Sequence, residues 1–142
     1  VILMKPQTYM NNSGIAVREL VNFYKIEAED IIVICDDIDI NFGTIRIKKN
    51  GTAGTHNGLK SIVKELGISN FVKLKIAVGH KPQKIDLADF VLSKFTSEDK
   101  KIIDEEMEIV KDAANMIIRK GVDLAMNEFN GWTAPSMRQE EE

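Results

Sequence analysis

Three polar clusters interrupt the apolar runs of this 142-residue chain, and each carries side chains able to do chemistry: TYMNN at 8–12, DDID at 36–39 and THN at 55–57. Asp36, Asp37 and Asp39 could bind a divalent cation, because hard cations take several oxygen ligands. No second acidic cluster stands at a matching loop, so a solvated turn is the plainer reading. Asp36 could instead orient a histidine, fixing its tautomer and raising the basicity of the other ring nitrogen, as a general base for water requires. His56 and Asn57 open a helix, where backbone N–H groups and an amide side chain can hold a carbonyl or phosphate oxygen. The ordinary alternative is a helix start capped by Asn57 or Thr55. The glycine-rich NGTAGTHNG lacks the GKS or GKT ending of a P-loop and the spacing of a dinucleotide fingerprint. His80, in VGHKP, could be a ligand or a base, although packed structural histidines are commoner. Tyr9 stands beside Asn11 and Asn12 in an exposed loop.

The elements that position these clusters follow from periodicity. Val1 to Met4 reads as the end of a strand that Pro6 stops. Asn12 or Ser13 can cap a helix with Val17, Leu20, Val21 and Tyr24 on one stripe. IIVIC, residues 31–35, is a β-branched run expected to be a strand buried on both faces, delivering the acidic loop at its carboxyl end. TIRIKK turns Ile45 and Ile47 inward, with Arg46 and Lys48 outward. After THN, a helix carries Leu59, Ile62, Val63 and Leu66 and closes at Gly67. In FVKLKIAV, Val72, Leu74, Ile76 and Val78 alternate with Lys73, Lys75 and Ala77, giving one apolar and one exposed basic face. LADFVLSKF is ambiguous between helix and irregular chain. Thr96 or Ser97 caps a long helix with a stripe at Ile103, Met107, Val110, Ala114 and Ile117, ended by Gly121, and a short helix follows through Ala125 and Phe129. Interleaved strands and helices predict an α/β fold with a mostly parallel sheet admitting an antiparallel member and helices on both faces. The expected organisation is one domain over residues 1–132 and a polar, disordered tail over 133–142.

Composition narrows the function classes. With 44% hydrophobic residues and a net charge of −3, the chain has the content of one globular domain. No apolar run is long enough to span a bilayer and the start resembles no secretion signal. One cysteine, Cys35, makes no internal disulfide and with two histidines is a poor zinc set, which predicts a reducing, cytoplasmic setting. From Gly43 to Lys81 eight basic residues face one acid, Glu65, a block of +7 inside an acidic protein. Such a block suits a polyanion, with a solvated surface as the plainer reading. Trp132, Tyr9 and Tyr24 are too scattered for a base-stacking platform.

Taken together and in this order, KPQTYMNNSG, DDIDINFG, GTAGTHNGLKSI and KLKIAVGH resemble bacterial peptidyl-tRNA hydrolase, from the first residues to about Trp132. The resemblance implies a monomeric, metal-independent cytoplasmic esterase with a single α/β domain and a twisted mixed sheet. Its substrate would be peptidyl-tRNA, cleaved at the ester between the peptide and the 3′ ribose. By the same resemblance Tyr9 and Asn11 lie at the site for the acylated tRNA end, Asn57 holds the substrate or the attacking water, and His56 lines the crevice. Asp36 matches the carboxylate that pairs with the catalytic histidine, and Lys48 and Lys75 match residues that grip tRNA phosphate. No cofactor is implied.

The family's catalytic histidine and a peptide-sensing asparagine precede KPQTYMNN, and this chain contains neither. Together with its start at Val1, inside an apolar run, this predicts a longer hydrolase, the present chain being inactive by itself. Asn41 and Phe42 stand where the family commonly has proline, and GHKP replaces GHPG. The alternatives are a non-catalytic RNA-binding relative and, third, a metal-dependent hydrolase using DDID.

Overall fold

The computed structural model describes residues 1–79 and 96–138, so His80 and LADFVLSKF lie outside the described residues. Contacts divide the chain into two compact units, Val1–Ile32 with Lys49–Val72, and Val33–Lys48 with Lys73–Glu142.

The first unit is built on two packed helices, α1 (Ser13–Tyr24) and α2 (Asn57–Leu66). A Cβ at Gly14 would stand 2.1 Å from the Ser61 carbonyl oxygen, so only glycine permits this approach of one backbone to the other. Neither Asn12 nor Ser13 caps α1: Asn12 makes no side-chain cap bond, and the Ser13 hydroxyl donates to the Met10 carbonyl at 2.8 Å. The Gly14 N–H donates instead to Ser61 Oγ at 2.9 Å, so the neighbouring helix supplies the acceptor. An Arg18–Glu65 ion pair joins the same two helices. α1 buries its head, Ser13 and Gly14, while Phe23 and Tyr24 at its far end are exposed and meet edge to face at 4.9 Å. The expected stripe therefore loses Tyr24. Leu59 and Ile62 of α2 are buried, and Gly67, at φ 69°, ends the helix in the left-handed region as predicted. Val1 to Met4 forms no strand.

The sheet comprises β1 (Ile32–Asp37), β2 (Ile45–Lys48) and β3 (Val72–Ala77), in the order β1-β3-β2. β2 and β3 are antiparallel, with Arg46 opposite Lys75 and Lys48 opposite Lys73. The Val72 N–H to Ile31 carbonyl and Val78 N–H to Asp37 carbonyl bonds advance together, the pattern of a parallel pair for β1 and β3. The class is α/β, and among the described residues the sheet is mixed, with one parallel and one antiparallel pairing rather than mostly parallel ones. β2 alternates as expected, Ile45 and Ile47 buried and Arg46 and Lys48 exposed. β1 is an edge strand of the described sheet and only half-buried, with Ile34 exposed, so burial on both faces is not found. The outer edge of β2 is braced by Asn130, whose Oδ1 accepts from the Ile47 N–H at 2.7 Å while Nδ2 donates to the Ile47 carbonyl at 3.1 Å.

α3 (Ser97–Lys120) is capped by Thr96 Oγ1, which accepts from the Asp99 N–H at 3.1 Å, and ends at Gly121. Its buried line is Ile102, Glu106, Val110 and Ala113, mostly one residue behind the expected stripe, and Met107 is half exposed. α4 (Val122–Phe129) buries Ala125 and Phe129. Residues 133–138 are not a loose tail. Ala134 is fully buried and donates to the Gly43 carbonyl at 2.7 Å, and the N–H and hydroxyl of Ser136, in α5 (Pro135–Arg138), donate to the Glu105 carboxylate at 3.2 and 2.5 Å.

Glu106 explains the displaced stripe. It is fully buried, and its Oε1 accepts from the Gly43 N–H at 2.9 Å, but Oε2 has no partner among the described residues. Burial pushes its carboxyl up to about 8, with the Gly43 hydrogen bond pulling the other way. An unfolded chain releases this proton near 4.5 and the folded chain near 8, so the stability associated with the proton is complete below pH 4.5 and is lost as pH rises to about 8. Glu106→Gln keeps the acceptor for Gly43 and removes the titration. Its urea midpoint is expected to rise relative to the parent between pH 5 and pH 8, and parallel profiles for the two proteins would rule Glu106 out as the titrating group.

Candidate functional site

In the first unit the site forms around the head of α2. His56 precedes the helix with extended backbone, and its Nδ1 accepts from the Leu59 N–H at 3.1 Å. His56, rather than Asn57 or Thr55, is therefore the cap. A ring nitrogen that accepts carries no proton, which places the proton of the neutral imidazole on Nε2 as a donor. Asn57 stands exposed as the first residue of the helix. Gly58 is buried because a Cβ there would lie 2.7 Å from Met10 Sδ and 2.9 Å from His56 Cε1. Met10 and His56 thus converge over a residue without a side chain.

Met10 belongs to a single 3-10 turn, Met10–Asn12, closed by the Asn12 N–H on the Tyr9 carbonyl at 2.9 Å and packed on α2. The turn bearing exposed Tyr9 and Asn11 is in this way brought to the helix head bearing His56 and Asn57. Two carboxamides and a phenol offer donors and acceptors that suit an ester or a bound water.

In the second unit, Asp36 is half-buried at the carboxyl end of β1 and Lys48 is exposed on β2. Lys75 departs from expectation. It and Lys73 are both buried, on the strand that has a neighbour on each side. Lys75 Nζ pairs with Asp37 Oδ2 at 3.0 Å, and Asp37 Oδ1 accepts from the Asp39 N–H at 2.7 Å. Burial lowers the Lys73 ammonium pKa, and the positive charges of Lys75 and Lys48 lower it further. Cys35 shares this environment, where burial pushes its thiol up to about 12, leaving it protonated and unreactive at neutral pH. Among the described residues, no three His, Cys, Asp or Glu side chains converge as a metal would require. The Asp37–Lys75 pair was not read from sequence, although its signal is present: carboxylates ending one strand and alternate lysines on another.

A family model described as peptidyl-tRNA hydrolase matches residues 1–140. Over 131 residues the chain is 54% identical to the peptidyl-tRNA hydrolase of Finegoldia magna, a match covering 92% of this chain and 69% of that protein. It is 52% identical over 130 residues to that of Lachnoclostridium phytofermentans, covering 92% and 68% respectively. The crystal structure of peptidyl-tRNA hydrolase from Acinetobacter baumannii superposes with a TM-score of 0.82 at 35% identity, covering 90% of this chain and 65% of that one, just under two thirds of its length.

The close approach at Gly14 sets where the 3-10 turn meets α2. Gly14→Ala forces its Cβ against the backbone of Ser61 and is expected to cost about 1–3 kcal/mol of stability. Urea unfolding checks the cost, and NMR should show the side-chain amide signals of Asn11 and Asn57 moving together. A variant as stable as the parent, with unmoved signals, would mean that this contact does not position the site.

Proposed function

Because the chain belongs to the peptidyl-tRNA hydrolase family, we propose that it contributes the substrate-binding part of an enzyme that cleaves the ester joining a peptide to the 3′ ribose of tRNA. The observation that carries this reading is the cluster at the α2 head, where His56 caps the helix and leaves Asn57 exposed beside the turn of Tyr9 and Asn11. Asn57 and Asn11 hold the ester and the attacking water through amide donors and acceptors. His56 fixes the first turn under Asn57, with Nδ1 engaged and Nε2–H turned to donation. A proton donor of this kind is not the base that takes a proton from water.

That base is assigned, by resemblance, to a histidine upstream of Lys5 that Asp36 orients. The carboxylate would favour the protonated ring and fix its tautomer, so Asp36→Asn should slow hydrolysis and move its pH dependence. Lys48 and Lys75 contact tRNA phosphate. The enzyme acts in the cytoplasm as a monomer and without a metal ion.

The test is hydrolysis of an N-blocked aminoacyl-tRNA by the 142-residue chain and by the longest reading frame that contains it. Turnover is expected in the longer protein and not in the shorter, since general-base catalysis typically supplies about a hundred- to ten-thousand-fold. In the longer protein Asn57→Ala should lose turnover with an unchanged circular dichroism spectrum. Binding of tRNA by both proteins with hydrolysis by neither would favour a non-catalytic RNA-binding relative. Activity lost in excess chelator would favour the metal-dependent reading.

A further inference from the structure

One face of the sheet carries Cys35 and Asp37 on β1, Lys73 and Lys75 on β3, and Arg46 and Lys48 on β2. Four cations share it, and directly opposed like charges, Arg46 with Lys75 and Lys48 with Lys73, destabilise an antiparallel pair. The cations are not equivalent. Arg46 and Lys48 lie exposed on the edge strand, whereas Lys75 lies one strand inward, roughly 5 Å away. Its side chain is 10% exposed and is held by Asp37, itself 12% exposed. Asp37 cannot easily swing aside, because its other oxygen accepts the Asp39 N–H.

We infer that Asp37 is a specificity-determining residue of the RNA-binding face, holding Lys75 in reserve so that only a phosphate presented deep in the face can take Asp37's place. This rests on the proposed binding of tRNA phosphate. A flexible polyanion passing over the edge strand meets Arg46 and Lys48 at no structural cost. To gain Lys75 it must displace a pair that is largely shielded from water, where the attraction is stronger than at a surface. A folded tRNA, whose phosphates are fixed in space, can place one there repeatedly with the same geometry. Asp37 thereby weakens binding to arbitrary RNA more than to the structured ligand.

The experiment compares the longest reading frame containing this chain, as parent, Asp37→Asn, Lys75→Gln and Lys48→Ala, binding deacylated tRNA and a uridylate 20-mer across a salt series. Asp37→Asn keeps an oxygen for the Asp39 N–H and releases Lys75. Its slope of log affinity on log salt should steepen by about 0.7 for the uridylate, the increment for one more phosphate on a single strand. With tRNA the slope should stay as in the parent, so the tRNA-to-uridylate affinity ratio falls. Lys75→Gln should lower affinity for tRNA severalfold more than for the uridylate, which tests the idea even if Asp37→Asn fails to fold. Lys48→Ala should flatten both slopes. A ratio unchanged by both Asp37→Asn and Lys75→Gln, with Lys48→Ala still flattening the slopes, overturns the role of Asp37 and leaves RNA binding standing. A parent protein that binds neither RNA overturns both.

Discussion

The central position of β3 governs the second unit. It is hydrogen-bonded to β1 on one side and β2 on the other, so its side chains stand among those of both neighbours. Lys73 and Lys75 accept that constraint in different ways. Lys73 is enclosed and its ammonium pKa is lowered, while Lys75 reaches the carboxylate that β1 delivers at its end. Burial likewise keeps the Cys35 thiol protonated, and the exposed positive charge lies outward on Arg46 and Lys48. Among the described residues of this sheet, place in the strand order thus separates the buried cations from the exposed ones.

The first unit rests on a contact of another kind, backbone against backbone. Gly14 and Ser61 meet closely enough that a helix start is satisfied by a hydroxyl from a different helix, and Gly58 allows Met10 and His56 to converge a turn away. Two glycines, neither in a left-handed conformation, therefore locate the asparagines of the candidate site. Their contribution is the absence of a methyl group, and it fixes the separation between the turn and the helix head.

Much of this was legible in the sequence where one interaction dominates locally. The alternation of Ile45 and Ile47 with Arg46 and Lys48, the Thr96 cap and the stops at Gly67 and Gly121 each depend on a few adjacent residues, and each is found. What was not legible depends on distant partners. Lysines in period two read as a solvated face, yet Lys73 and Lys75 on β3 are buried. A serine on α2 that serves α1 has no sequence signature, and a buried glutamate looks like surface, which displaced the stripe of α3. The order at Ala134 and Ser136 arises from Gly43 and Glu105, far away along the chain. At the site, residue types were readable and geometry was not. A histidine with a downstream N–H in reach of Nδ1 displaced the better-known capping residues beside it.

The Asn130 brace has a consequence for how copies of this protein meet. An edge strand offers unpaired peptide groups on which a strand from another molecule can polymerise. At Ile47 both groups are already taken by one carboxamide, which imitates a neighbouring strand for a single residue and then ends. On either side of that plug stand Arg46 and Lys48, whose like charges repel the same edge of a second molecule. Among the described residues, this edge is thus guarded against self-templated pairing twice over, by a carboxamide that occupies its peptide groups and by charges that repel its own copy.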